Sequence, residues 1–428
     1  MLSKTKKRVN DFLTQLQEST GIDMHYIARG GGWSLFSFVI NSSLSLITAV
    51  LFANLLPKET YGTYKYLLAI VGSIGFLTLT GMNTAVVQAV SRGQEGALQF
   101  SVKLQLKWNL LLTIAAVGIG LYYLIKGNLI FAYSIFILSV FSPLNATLNT
   151  YGAFLAGKKE FRKINLYGIA ATVFFVGLMA VVLILTENII ALITTYSLAT
   201  LLPKLIFYRK TLKIFRPKKI PEEEKKKLIS YSGHLSLVNV FSIISQYIDK
   251  IAVFQFLGPV QLAVYSFALV MPDRIKGFLK NASAILISKL VEKEIKEIRK
   301  VFYKRVLQGL AVGATISLVY ILFAPIIFGL FFPKYLESII YSQVLSLSLV
   351  TLIPAIYMGS VFRSHKMIRI IYLSSAVPHI ARIILFLTLG KIWGVWGIIW
   401  AALLISVVGP FYNFLLWGIE MRKLEKSG

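Results

Sequence analysis

Long uncharged intervals set the terms for this chain. Eleven of them, at 30–57, 66–91, 108–125, 127–157, 164–186, 188–203, 228–248, 251–272, 306–333, 338–362 and 392–419, alternate with short charged connectors. A twelfth, 370–390, fits when Arg382 is allowed inside it. A bilayer-crossing helix needs about 20 mostly apolar residues. The pattern therefore predicts an all-α polytopic membrane protein with twelve transmembrane helices, near 30–53, 63–90, 105–125, 129–156, 164–185, 189–207, 229–256, 261–288, 306–329, 339–362, 369–390 and 393–417. A water-soluble globule is excluded, because 428 residues that are 56% hydrophobic and 15% charged hold more apolar side chain than a soluble surface hides.

The charge balance is lopsided, with 45 Lys and Arg against 18 Asp and Glu. With the N-terminus placed in the cytoplasm, 34 of the basic residues fall in cytoplasmic segments. Only Lys58, Lys126, Lys334 and Lys391 fall in the loops of the other side. Positively charged loops stay inside, so the expectation is a plasma (inner) membrane protein with both termini cytoplasmic. A nucleic-acid partner is excluded, since the basic residues sit between apolar runs instead of on one polar face. The chain has no cysteine, and its four histidines show no metal-ligand spacing, so no thiolate nucleophile, metal or cofactor is expected.

Four segments are read as 1–29, 30–208, 209–228 and 229–428. In the first, Val9, Phe12, Leu13 and Leu16 recur at helical spacing beside Lys4, Lys6, Lys7 and Arg8, as in an amphipathic helix lying on the inner leaflet. The third, charged and holding two prolines, reads as a cytoplasmic linker between two six-helix lobes. An offset of 201 residues matches Gly32 with Gly233, Leu56 with Leu257 and Tyr64 with Tyr265. It also matches a polar stripe on span 1 (Ser34, Ser37, Asn41, Ser45, Thr48) with one on span 7 (Asn239, Ser242, Gln246, Asp249). Six spans per half make this a parallel repeat, an arrangement that places a substrate site between lobes. Matched stripes therefore predict a shared cavity, with interhelical bonding as the competing reading.

Two stretches carry a family resemblance. GGWSLFSFVINSSLSLITAVLFANLLPKETYGTYKYLLAI at 31–70, with its LLPxExYGxY loop, and QYIDKIAVFQFLGPVQLAVYSFAL at 246–269 resemble the Wzx-type polysaccharide-transporter flippases of the multidrug/oligosaccharidyl-lipid/polysaccharide exporter superfamily. The resemblance implies a V-shaped pair of six-helix lobes that moves lipid-linked oligosaccharides from the cytoplasmic to the outer leaflet without catalytic residues.

Ionisable residues within spans each cost about 2.5–3.5 kcal/mol on insertion scales and call for a reason. Span 8 places Asp273, Lys276 and Lys280 on one face and Arg274 about 100° away; span 11 adds His379 and Arg382, and span 7 adds Asp249 and Lys250. The excess of cations predicts a site for the phosphate of an anionic lipid-linked oligosaccharide, built from Arg274, Lys276, Lys280, His379 and Arg382. Internal pairing with Asp249 and Asp273 is the competing reading. Those two carboxylates are also the candidates for coupling transport to H+ or Na+. Asn41, Asn83, Gln88, Asn145, Asn149 and Gln246 are candidates for hydrogen bonds to sugar hydroxyls. Lys65 and Lys204 read as span-end residues, Lys65 snorkelling to the surface. The expected partners are membrane lipids and glycan-assembly enzymes around a monomer. Competing functions are a multidrug exporter, a peptidoglycan-precursor flippase, and a membrane glycan polymerase or glycosyltransferase. The absence of a large outer loop or a DxD motif weighs against the last.

Overall fold

The computed structural model describes residues 24–281, 290, 294–365 and 367–427. The proposed amphipathic helix of the first segment lies outside them. The described residues form helices joined by short turns. Span 1 is Met24–Leu55, and span 2 is broken into Lys58–Leu77 and Met82–Ser91 with a 56° bend. Spans 3 to 6 are Ala97–Ile125, Leu129–Gly157, Phe161–Leu185 and Ile189–Phe215. Span 9 is Ile295–Phe331 and span 10 is Ser338–Ser364.

The remaining spans come in pairs within two 60-residue helical stretches, Glu222–Asn281 and Ile368–Ser427, which reverse at single glycines. Gly258 (φ 86°) and Gly394 (φ 60°) lie in the left-handed region that a residue without Cβ enters freely. Direct contacts prove the reversal. The Tyr265 hydroxyl donates to Asp249 Oδ2 at 3.0 Å, although 16 residues of straight helix would hold them about 24 Å apart. Around Gly394, a Cβ on Gly397 would lie 1.9 Å from the Leu389 carbonyl oxygen. The stretches are thus hairpins, spans 7 and 8 and spans 11 and 12, and the described residues make twelve passes. The 201-residue offset carries the loop at Leu56 and Pro57 onto the turn at Leu257 and Gly258.

Prolines inside spans remove a donor and orphan the carbonyl four residues earlier, which lipid cannot satisfy. Neighbouring helices answer in three places. Thr113 Oγ1 donates to the Ser139 carbonyl below Pro143 (3.1 Å), Gln343 Nε2 to the Ile321 carbonyl below Pro325 (2.9 Å), and Thr351 Oγ1 to the Ser406 carbonyl below Pro410 (2.6 Å). Each bond also glues two spans together. Replacing Thr351 with Val is expected to destabilise the protein by about 1 kcal/mol, within the range measured for such bonds in membranes. A lowered unfolding midpoint in detergent, restored by Thr351→Ser, checks this.

The charged segment at 209–228 is mostly helical. Span 6 continues to Phe215 and span 7 starts at Glu222, leaving only 216–221 outside helices. Glu222 with Lys225, and Glu223 and Glu224 with Lys227, pair across one helical turn and support that start. The short connection docks on the first half, with Ile220 buried and the Lys218 carbonyl oxygen 2.2 Å from where a Gly96 Cβ would lie.

The two halves meet most extensively where span 2 packs against the hairpin of spans 7 and 8. Glycines on span 2 admit the close approach: a Cβ at Gly62 would lie 1.9 Å from the Pro259 carbonyl oxygen, and one at Gly81 2.5 Å from Leu235 Cβ. At the face carrying Lys58, Gly258 and Gly394, here the closed face, one aromatic cluster spans both halves. Tyr61 lies 4.8 Å from Phe267, which lies 4.0 Å from Tyr335 between ring centroids, all buried. Tyr66 stacks on Phe254 at 3.7 Å, Lys58 pairs with Glu337, and Lys334 Nζ donates to the Asn54 carbonyl at 2.7 Å. At the opposite, lysine- and arginine-rich face the aromatic clusters separate, Phe154 with Phe215 in the first half and Phe302 with Trp417 in the second.

Candidate functional site

Two chambers flank span 7 inside the bundle. The larger, about 490 Å³, lies among spans 7, 8, 10, 11 and 12. Its charged lining is Lys250, Lys276, Lys280 and Arg382 against Asp249 and Asp273, with Gln246, Ser348, Thr351 and Ser406 as neutral polar groups. Span 8 delivers Asp273, Lys276 and Lys280 to it because they recur at three- and four-residue spacing on one face.

Asp249 organises the inner end. It is 2% exposed, lies 3.4 Å from Lys250 Nζ through both carboxylate oxygens and 3.9 Å from Arg382 Nη2, and accepts from Tyr265. The Arg382 guanidinium lies over the Phe386 ring at 4.9 Å. Its Nε is buried without a hydrogen-bond partner. Toward the basic face, Lys276 Nζ lies 3.5 Å from Asp273, whose carboxylate is well exposed. The pairing reading therefore accounts for part of the charge: two carboxylates face four cations in this lining.

The other candidates separate. Arg274 lines neither chamber; its 100° offset turns it to the protein surface, within electrostatic reach of Tyr61 and Lys65. His379 is half-buried behind the chamber wall, its Nδ1 bonded to Ser245 Oγ at 2.7 Å. Gln246 lines the chamber. Gln88 instead donates to the Tyr231 hydroxyl at 2.9 Å, tying span 2 to span 7 near the basic face. Asn41 bonds Ser37 on its own helix (3.0 Å), and the span 1 stripe lines neither chamber. The span 7 stripe divides, Asn239 donating to Thr80 at 3.3 Å while Gln246 and Asp249 face the chamber. Asn83 and Asn149 also lie outside both linings.

The second chamber, about 440 Å³, belongs to spans 2, 3, 4 and 6 and shares Tyr247 and Lys250 with the first. Asn145 lines it, donating to Thr200 Oγ1 at 3.1 Å. So do Lys65 and Lys204, which the sequence reading left at span ends. Span 2 begins at Lys58, placing Lys65 two turns inside, and span 6 continues eleven residues beyond Lys204.

Apolar spans here enclose charged chambers, and comparison with known proteins names the family. The model of the polysaccharide biosynthesis protein family matches residues 27–276. The chain belongs to that family. None of the curated proteins matches it in sequence. Among solved structures, an inward-facing multidrug resistance MATE family transporter of the MOP superfamily superposes with a TM-score of 0.67 at 14% identity, covering 91% of this chain and 96% of that one. An outward-facing structure of such a transporter gives 0.56 at 14%, covering 92% and 97%. A MATE transporter of Vibrio cholerae gives 0.60 at 15%, covering 93% and 97%. At such identities the likeness shows the fold. This member of the polysaccharide biosynthesis protein family is a multi-pass membrane protein with that fold.

Proposed function

We propose that the protein is a flippase that moves a polyprenyl-(pyro)phosphate-linked oligosaccharide from the cytoplasmic to the outer leaflet of the plasma (inner) membrane, for cell-surface glycan assembly. The observation that carries this reading is the chamber of the second half, where Lys250, Lys276, Lys280 and Arg382 outnumber Asp249 and Asp273. Charges held inside spans require a compensating ligand or function, and guanidinium and ammonium groups suit phosphate oxygens. The unpartnered Nε of Arg382 supports an oxyanion there. The family supports a polysaccharide precursor, and the excess of lysine and arginine in loops on one side supports placing that face and both termini in the cytoplasm.

A multidrug exporter is the second reading, favoured by the fold of the structural neighbours. A net basic chamber repels organic cations and weighs against that class of drug. Asp249 and Asp273 both touch lysine, so their pairing competes with a role in H+ or Na+ coupling.

Depletion in the native cell decides the matter. Lipid-linked oligosaccharide trapped on the cytoplasmic face is the expected result. Unelongated units accumulating outside would point to a polymerase, and unchanged precursor distribution with raised drug sensitivity would point to the multidrug reading.

A further inference from the structure

We infer that the chamber of the first half is a second oxyanion-binding site, so that the substrate is held by anionic groups on both sides of span 7. The inference deepens the flippase reading and rests on it. The lining of this chamber contains Lys65, Lys204 and Lys250 and no carboxylate. Among the described residues neither Lys65 nor Lys204 forms an ion pair. Lys65 Nζ stands 5.7 Å from the Tyr61 ring centroid, and Lys204 Nζ donates to the Asn145 carbonyl at 3.3 Å. Both are half-buried and within spans, and no carboxylate touches either, Asp249 and Asp273 acting on Lys65 only from a distance, so their charge is poorly compensated. An entering oxyanion supplies the missing partner.

A second observation points to a ligand with hydroxyl groups. Asn145 Oδ1 lies buried in the lining without a hydrogen-bond donor, and a buried acceptor left unpaired is unfavourable until something donates to it. A sugar hydroxyl beside the anion meets that need.

The depths of the cations fit a ligand bridging the two chambers. Counting helical rise from the closed face, Lys65 lies about 10 Å deep, Lys250 about 12 Å, Arg382 about 18 Å, Lys204 about 22 Å and Lys276 about 27 Å. Lys250, in the shared wall, stands level with Lys65, lies 3.4 Å from Asp249 and donates to the Gln246 carbonyl at 3.5 Å. Its ammonium can therefore serve an anion on either side. The oxyanion in the first-half chamber comes from one of two sources: the lipid-linked diphosphate passed across Lys250, or an acidic sugar of the glycan while the diphosphate stays beside Arg382.

The test titrates the full chain, in lipid nanodiscs, with geranyl diphosphate. Wild type is expected to bind two equivalents, and Lys65→Gln with Lys204→Gln one, the remaining affinity staying within about twofold. Lys65→Arg with Lys204→Arg should keep both sites, separating loss of charge from loss of fold. Two equivalents still bound by the double Gln variant would overturn the inference. So would a single wild-type equivalent lost only in Lys276→Gln with Arg382→Gln when digalacturonate also fails to bind the wild type, an outcome that leaves the flippase reading standing. A single equivalent lost only in the Lys65 and Lys204 variant would uphold this site and remove the phosphate from the second half. No binding at all would sink both. Competition by digalacturonate identifies the source: displacement from the first-half site assigns it to an acidic sugar, and resistance assigns it to the diphosphate.

Discussion

Lys276→Gln combined with Arg382→Gln is expected to reduce translocation by at least about a hundredfold while leaving the protein folded in the membrane. Each of these cations offers charge-assisted hydrogen bonds worth about 1.5–3 kcal/mol, and every 1.4 kcal/mol is a factor of ten. The fold survives because the carboxylates keep other support. Asp249 loses Arg382, its more distant neighbour at 3.9 Å, but retains Lys250 and the Tyr265 hydroxyl. Asp273 loses Lys276 but is exposed enough to be hydrated. The measurement is the fraction of lipid-linked oligosaccharide reached by a membrane-impermeant glycosidase, with surface-normal amounts of variant protein. Arg382→Lys retains charge without the planar fork and should fall between wild type and the double variant. Wild-type translocation by the double Gln variant would remove the second-half chamber from the mechanism.

Gly62→Leu is expected to open the closed face. A Cβ there already overlaps the Pro259 carbonyl oxygen, so a leucine side chain forces span 2 away from the turn between spans 7 and 8. Overpacking costs about 1–3 kcal/mol, and here it falls on the state in which the two segments touch. The ratio of closed to open should drop by about 5- to 150-fold. The chain contains no cysteine, so a single Ser348→Cys reports on the chamber without background. Impermeant maleimide should label this site in the wild-type background from the basic face only, and in the Gly62→Leu background from the closed face as well. Tyr66→Ala, which removes the stack on Phe254, should act in the same direction without overpacking. Unchanged one-sided labelling in both backgrounds would show that the contacts of spans 2 and 7 do not hold this face shut.

The candidate site was legible in part, and the reasons are particular. Arg382, Lys276 and Asp249 stand out in sequence because charge inside an apolar run is anomalous wherever the helix packs. Arg274 stands out equally, yet lines neither chamber. Anomaly identifies an expensive residue, but the rotation of span 8 against its neighbours decides what that residue faces. Lys65 and Lys204 passed as span ends because the uncharged interval stops at them, whereas the helices run on through Lys58 and Phe215. Helical hydrogen bonding tolerates charged residues that a hydropathy boundary does not. The polar stripe on span 1 had the right period for a cavity wall, but Asn41 is satisfied by Ser37 one turn away, a local bond that periodicity does not distinguish from exposure to a ligand.

By itself, the sequence determined that this chain is an all-helical, twelve-pass membrane protein with a strong charge asymmetry between its two faces. These properties are local: each span must be apolar along its own length and must satisfy its own backbone, whatever surrounds it. Only the tertiary structure decided that Gly258 and Gly394 turn two long helices into hairpins, that Thr113, Gln343 and Thr351 mend the bonds broken by prolines on other spans, and that Lys250 stands between two chambers. Those outcomes depend on contacts between residues far apart in the chain, and the pattern along any one span does not encode them.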